Sequence, residues 1–411
     1  MTNLRVFLAQ MARAVWFRAS LFSLAAVLLA LAAGFLEPFL PDLTVNLGQG
    51  SVDEILQILA SSMLAVTTFS LTAMVTAYSS ASRVATPRAT QLLVADPTSQ
   101  NVLSTFIGAF VFSMVGIIAL STGYYGDQGQ AILFVGTLVV IAIVVVVLLR
   151  WISHLGSFGR MSDIIDRVEA AAHRTTAQYA NRPSLGARRQ DPRSITGASV
   201  RPQRAGYVTH IDLARLEAMA EERELTIHVR ALPGTVVDTA TPLALVAGTT
   251  DDETRSKVAS AFHIEAHRSY DQDPRLGMIA LSEIASRALS PSTNDPGTAI
   301  DVLGALGRVF ENMLQADADA DVPYSHLTVE PVTLPDLVED AFRPIARDGA
   351  GMVEVGIRLQ KTLASLADIA GPSRSRPFTD AAADARSRAQ RVLCRADAVA
   401  LRRAASNAPR R

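Results

Sequence analysis

The chain has 411 residues, 49% of them hydrophobic, with 38 Lys and Arg against 39 Asp and Glu. Charged residues make up only 19%, below the roughly 25% of an ordinary globular protein, and a single cysteine, Cys394, excludes an internal disulfide or a cysteine-based zinc cage. The near-neutral total is a sum of opposed blocks, with five bases and six acids in residues 1–149, ten and four in 150–204, 13 and 26 in 205–373, and ten and three in 374–411, which excludes a single soluble domain or a disordered chain.

Four uncharged runs come first, at Ala19–Leu36, Ile55–Ser82, Pro97–Gly126 and Gln128–Leu149. A helix needs about 20 apolar residues to cross a bilayer core of about 30 Å. The runs therefore predict a domain of four transmembrane helices over residues 1–153. The first is the shortest, and Arg18 extends it by reaching to the interface. Ala30-Leu31-Ala32 resembles a signal-peptide cleavage site, but three further spans follow, so the first helix is expected to stay uncleaved.

The bases of the short loops define an orientation. Arg5 and Arg13 precede the first span, Arg83 and Arg88 lie between the second and third, and Arg150, Arg160 and Arg167 follow the fourth. The other two loops carry Glu37, Asp42, Asp53, Glu54 and Asp127 and no base. Both termini are thus expected in the cytoplasm, with the protein in the inner (plasma) membrane of a bacterium.

The second span is unusually polar. Ser61, Ala65, Thr68, Thr72, Thr76 and Ser79 recur every three or four residues, which places them on one helical face. Small and hydroxyl residues suit close helix packing in lipid. They equally suit the water-exposed lining of a pore or substrate path. No acid or base lies within a span, so a proton relay or ion-coupling carboxylate is excluded.

Residues 154–204 read as a basic juxtamembrane helix followed by a flexible linker, rich in Arg, Pro, Ser and Gly from Ala180 to Gln203. Its charge suits anionic lipid headgroups. From Gly206 the pattern is mixed α+β, and residues 205–373 have the size of one acidic cytoplasmic domain. Strands are expected at Gly206–Asp212, Leu225–Ala231, Thr235–Val237, Pro242–Val246, Phe262–Arg268 and Ser325–Glu330. Helices are expected at Leu213–Glu224, from Asp252 to about Ala259, Asp273 to Ala288, Gly297 to Gln315, Leu334–Ala346, Val353–Ile369 and Asp380–Arg403. Residues 374–411 form a basic helical or disordered tail.

Particular residues carry the resemblance to a known family. In the first half these are Ala60-Ser61-Ser62-Met63, Phe69-Ser70-Leu71, Ser79-Ser80, Pro87-Arg88 and Phe106-Ile107-Gly108. In the second they are Gly206-Tyr207-Val208, Ile211-Asp212, Pro233-Gly234, Gln272-Asp273 and the run RALSPSTNDPGTA at 287–299. Over roughly residues 10–370 the chain resembles the bacterial membrane proteins grouped as domain of unknown function 2254. The resemblance implies a membrane protein with a cytoplasmic domain and no established activity. This chain has Glu265 and His267 where family members have Gly and Glu.

Two groups of residues stand out as candidate sites. Arg287, Ser290, Ser292, Asn294, Asp295 and Thr298 gather hydroxyls, an amide and a base around the start of a helix. Asp295 followed by Pro296 is an ordinary helix start, while free N–H groups at such a terminus also hold anions. His263, Glu265 and His267 share one face of a strand, and such a trio suits a divalent metal or a plain solvent-facing strand side. No catalytic residue and no cofactor are indicated, since the common nucleophile, phosphate-loop, zinc-protease and dinucleotide motifs are absent from the sequence. The basic segments lack interleaved aromatics, which speaks against nucleic acid. Three functions remain open: a homo-oligomeric channel- or transporter-like protein with a cytoplasmic regulatory domain, a non-conducting membrane-anchored sensor or scaffold, and a membrane enzyme.

Overall fold

The computed structural model describes residues 15–36, 51–94, 96–189, 196–316 and 322–406. Arg5, Arg13, Glu37 and Asp42, used above for orientation, lie outside the described residues. The chain divides into two compact units, one of residues 1–83 and 90–163, the other of residues 84–89 and 164–411.

The first unit is helical. Its elements are α1 (Val15–Leu36), α2 (Ser51–Val84), most of α3 (Pro87–Val94), α4 (Pro97–Ser121) and α5 (Asp127–Ser157). Among the described residues three helices are long and apolar enough to span a membrane, over Ser51–Ser82, Pro97–Ser121 and Gln128–Ser157. The expected first span falls on α1. The helix α1 runs over Val15–Leu36 and is apolar across Phe17–Ala32. Arg18 donates to Asn101 Oδ1 (2.8 Å) near the start of α4. α1 packs on α4 where Gly108 leaves room. A Cβ there would stand 3.4 Å from the Phe22 carbonyl oxygen.

The core of this unit joins Ala26 and Ala30 of α1, Leu56, Leu59 and Met63 of α2, Phe106 and Phe112 of α4, and Leu133 and Trp151 of α5. Asp96 starts α4, accepting from Ser99 N (2.7 Å) and Ser99 Oγ (2.6 Å).

The second unit is mixed α and β. Its first part holds α6 (Met161–Asn181, shared at its start with the first unit), β1 (Ala187–Arg188), β2 (Ala198–Val200), β3 (Gly206–Ile211), α7 (Leu213–Glu222) and β4 (Thr226–Val229). There follow β5 (Val236–Val237), β6 (Ala244–Ala247), α8 (Asp252–Ala259), β7 (Phe262–Glu265), α9 (Pro274–Ala288) and α10 (Pro296–Gln315). The last part holds β8 (Tyr324–Val329), α11 (Leu334–Asp348), α12 (Val353–Arg374), α13 (Arg376–Gln390) and α14 (Arg395–Ser406). One sheet has the order β1-β8-β4-β6-β2, with β8 parallel to β1 and β4, and β6 antiparallel to β4 and β2. The other is antiparallel, in the order β5-β3-β7. Val208, Leu216, Ile227, Val246 and Val329 meet in the core between strands and helices.

One stretch differs from its expectation. The segment 154–204, read as a juxtamembrane helix and a flexible linker, has its helix as α6, and its linker part supplies both edge strands of the five-stranded sheet. Ile164, Val168, Ala171 and Ala172 bury one face of α6, a periodicity masked in the sequence by the alternating charges of its other face. Its residues 190–195 lie outside the described residues. The basic tail is helical over its described residues, as α13 and α14. Phe378 of α13 sits edge-on to Phe310 of α10 (centroids 5.5 Å), and Phe310 stacks on Phe342 of α11 (5.4 Å). The tail is attached by this apolar cluster together with hydrogen bonds from Gln360 Nε2 to the Ala382 carbonyl (2.8 Å) and from Arg374 Nη2 to the Leu314 carbonyl (3.0 Å). Its Arg376 and Arg388 pair with Asp380 and Asp384 on their own helix, rather than with the acidic domain. Within α12 the helix breaks at Gly371 (φ +69°), a left-handed conformation that a side chain disfavours.

Candidate functional site

In the first unit α2 has two unlike faces. Its buried hydroxyl is Ser70, whose Oγ accepts from Trp151 Nε1 (2.9 Å). The stripe Ser61, Thr68, Thr72, Thr76 and Ser79 faces outward and is exposed. Four of these hydroxyls donate to carbonyls one turn back, Ser61 to Gln57 (3.0 Å), Thr68 to Leu64 (2.9 Å), Thr72 to Thr68 (3.0 Å) and Thr76 to Thr72 (2.9 Å). Such bonds satisfy a hydroxyl without a second helix. The outer face of α5 is of the opposite kind, with Val135, Leu138, Val139, Ile143, Val146 and Leu149 exposed. Thr72, Thr76 and Ser80 also line an open groove of about 690 Å³, walled by Phe69 and Phe158 and containing Arg160.

In the second unit a polar cleft of about 810 Å³ opens between the end of α6, β3 and the start of α7. His210, Asp212, Gln272, Tyr179 and Tyr324 line it. β3 presents His210, and the antiparallel partner β7 brings the His263 ring to 5.5 Å. Burial, and then the neighbouring His263, lower the pKa of His210, so this imidazole is neutral at neutral pH. Asp212 caps α7 by accepting from Arg215 N (3.1 Å). Gln272 Oε1 accepts from Ile211 N (3.0 Å), which ties the loop before α9 to β3. The next residue, Asp273, is buried and caps α9 through Arg275 N (3.0 Å) and Leu276 N (3.2 Å). Arg268 grips the same carboxylate through Nε (2.7 Å) and Nη2 (2.6 Å). Burial raises the Asp273 pKa against the opposing pull of Arg268. Gly234 (φ +93°) lies against this carboxylate so closely that a Cβ there would overlap it. The cleft thus offers amides, hydroxyls and a neutral imidazole to a small polar ligand, on a rigid base. Neither His210 nor Tyr179 was legible as a site residue, because nothing local distinguishes them from other polar positions on a strand or helix.

The loop from Arg287 to Thr298 joins α9 to α10 and bonds to itself. Ser290 Oγ donates to the Arg287 carbonyl (2.7 Å) and stands 3.2 Å from Ser292 Oγ. Thr293 N and Asn294 N donate to the Ser290 carbonyl (3.0 and 2.9 Å), and Asn294 takes a positive φ of 50°. Asp295 caps α10, accepting from Thr298 N (3.1 Å) and Thr298 Oγ1 (2.6 Å), and these bonds lower its pKa. Arg287, Ser292, Asn294 and Asp295 are exposed, and none of the loop lines either cavity described above.

The structure does not bring His263, Glu265 and His267 together as a ligand group. β7 ends at Glu265, so His267 leaves the shared strand face. His263 turns instead to His210. Among the described residues no three His, Cys, Asp or Glu gather as metal ligands. Cys394 is exposed, with its thiol 3.3 Å from Asp397 Oδ2.

No solved structure matches this chain. Uncharacterized proteins of Mycobacterium tuberculosis and Mycobacterium bovis are 26% identical to it over 238 residues, or 55% of this chain and 45% of the relative. The match therefore spans less than half the length of these relatives. A family model described as "Predicted membrane protein (DUF2254)" matches residues 12–365. The chain belongs to that family of predicted membrane proteins.

Proposed function

We propose that copies of this protein associate in a bacterial inner membrane through the hydroxyl face of α2, around a polar path of the channel or transporter kind. In this reading α1 is a fourth span, both termini are cytoplasmic, and the second unit is a cytoplasmic regulatory domain whose polar cleft takes a small ligand. Basic segments on that side meet anionic headgroups. The observation that carries the proposal is the contrast between two exposed helix faces. That of α5 is aliphatic, as lipid requires, while that of α2 carries Ser61, Thr68, Thr72, Thr76 and Ser79 among exposed Leu64, Phe69, Leu71 and Val75. Outward hydroxyls gain little from hydrocarbon and more from a protein neighbour or from water.

A second reading, a non-conducting sensor or scaffold, draws on the internal hydrogen bonds of the same hydroxyls. A hydroxyl already satisfied by its own helix needs no water. One experiment separates the two. Thr68→Cys, Thr72→Cys and Thr76→Cys, each in a Cys394→Ser background, are treated with a small water-soluble thiol reagent and, separately, with a bifunctional cross-linker. Val139→Cys and Val146→Cys serve as lipid-facing controls. Labelling well above the controls supports the path. Cross-linking between copies without labelling supports the dry interface, and neither result removes the association altogether.

A further inference from the structure

We infer that the groove between α10 and α12 is a binding site for a phosphate group, carried by a small phosphate ester or a lipid headgroup. The inference is independent of whether the membrane unit conducts. It begins with Gly304 and Gly307, which leave a bare strip on α10. At Gly307 the helix approaches α12, where a Cβ would stand 3.5 Å from Thr362 Cγ2. At Gly304 the space is taken by charge. Arg308 Nη1 and Arg358 Nη2 lie 3.5 and 3.7 Å from the position of an absent Cβ. Two guanidinium groups, one from each helix, thus converge on the same bare patch. Lys361, one turn beyond Arg358, lines the same groove, and so does Ser365.

Like charges brought together repel unless something neutralises them. Arg308 is held from behind. Its Nε and Nη2 donate to Glu169 Oε1 and Oε2 (2.7 and 2.6 Å), which leaves Nη1 for the groove. Among the described residues no ion pair engages Arg358 or Lys361, although the domain around them holds 26 acids and only 13 bases. Glu311, the one acid in the lining, receives a hydrogen bond from Gln315 Nε2 (3.3 Å). Counting Glu311 and the paired Glu169 against Arg308, Arg358 and Lys361, the groove keeps a net charge of +1. Guanidinium forks and an ammonium with hydroxyls beside them are the usual cradle of a phosphate. The cavity, about 270 Å³, lies below the roughly 300–1,000 Å³ of drug-sized ligands. It suits a phosphate group whose substituent extends out of the groove.

The test uses the full chain in neutral detergent and isothermal titration calorimetry at constant ionic strength. The probes are inorganic phosphate, glycerol phosphate and a short-chain phosphatidic acid below its micellar concentration. The wild-type chain is compared with Arg358→Gln and Lys361→Gln, both exposed positions, and the melting temperature without ligand checks the fold. We expect saturable binding in the wild type, weakened at least tenfold in each variant at an unchanged melting temperature. Binding of inorganic or glycerol phosphate identifies a soluble ester as the ligand class. Binding of phosphatidic acid alone identifies a headgroup. Absence of binding by all three probes, or equal affinity in wild type and variants, overturns the inference.

Discussion

His228 and Thr328 face each other across the parallel pair β4–β8, with His228 Nδ1 2.7 Å from Thr328 Oγ1 and both residues buried. The other ring nitrogen of His228, Nε2, is buried and has no hydrogen-bond partner. A second proton on that ring would place an unpaired charge in the core. Burial, and then Arg230, lower its pKa, against the opposing pull of Glu330.

A pH dependence of stability follows, with a defined sign. The ordinary value for histidine is about 6.5, and His228 and His210 both lie below it when folded. As pH falls through about 6.5, the unfolded chain takes up protons that the folded chain refuses, so stability falls. Above that window both states are deprotonated and the effect vanishes. Thermal unfolding of the full chain should therefore show a melting temperature that drops between about pH 7 and pH 5.5. The double substitution His228→Leu with Thr328→Val removes both polar partners together and should flatten the drop. An equally steep drop in the double variant would assign the effect to other groups.

Gly277 of α9 is where that helix meets α6. An added Cβ would lie 2.5 Å from Ala172 Cβ and 2.7 Å from Ala172 Cα. Both contacts are with packed helix, so neither side can yield without moving an element. Gly277→Ala should destabilise the second unit by about 1–3 kcal/mol, the usual cost of overpacking. Gly156→Ala, where nothing stands within 4 Å, should instead be neutral or slightly stabilising. Chemical denaturation of both variants checks this, and a neutral Gly277→Ala would mean the α6–α9 approach is looser than described.

Asp295 carries the cap of α10 by two hydrogen bonds to Thr298. Asp295→Ala should cost about 0.5–2 kcal/mol, while Asp295→Asn or Asp295→Ser should restore most of it. Melting temperatures of the three variants decide. Loss of some function with the cap and stability intact in Asp295→Asn would instead give the exposed hydroxyls around it a ligand.

The proposed orientation predicts opposite reporter signals from fusions at Gly48 and Arg160. A cytoplasmic reporter should be active at Arg160 and silent at Gly48. Activity of a periplasmic reporter at Arg160 would reverse the arrangement.

Some of this was open to reading residue by residue, and the reason is locality. The long apolar runs that became α2, α4 and α5 need only length and composition to be recognised. Asp273 and Asp295 were visible as helix starts because a cap is settled within four residues, whereas Asp212, read as the end of a strand, caps α7. The strands β3, β4 and β8 showed in alternation and β-branched content.

What only the tertiary structure decided are the meetings of distant segments. β1 and β2 have two and three residues, too few to show a period, and they become strands because β8 and β6 offer free edges. His263 was grouped with its sequence neighbours Glu265 and His267, whereas the register of β3 on β7 joined it to His210. Arg308 and Arg358 are 50 residues apart in the sequence, and only the packing of α10 on α12 brings them over Gly304. Caps and apolar periods are set by neighbours along the chain. Strand partners and charge clusters are set by which buried faces find one another, a choice made by the whole core at once.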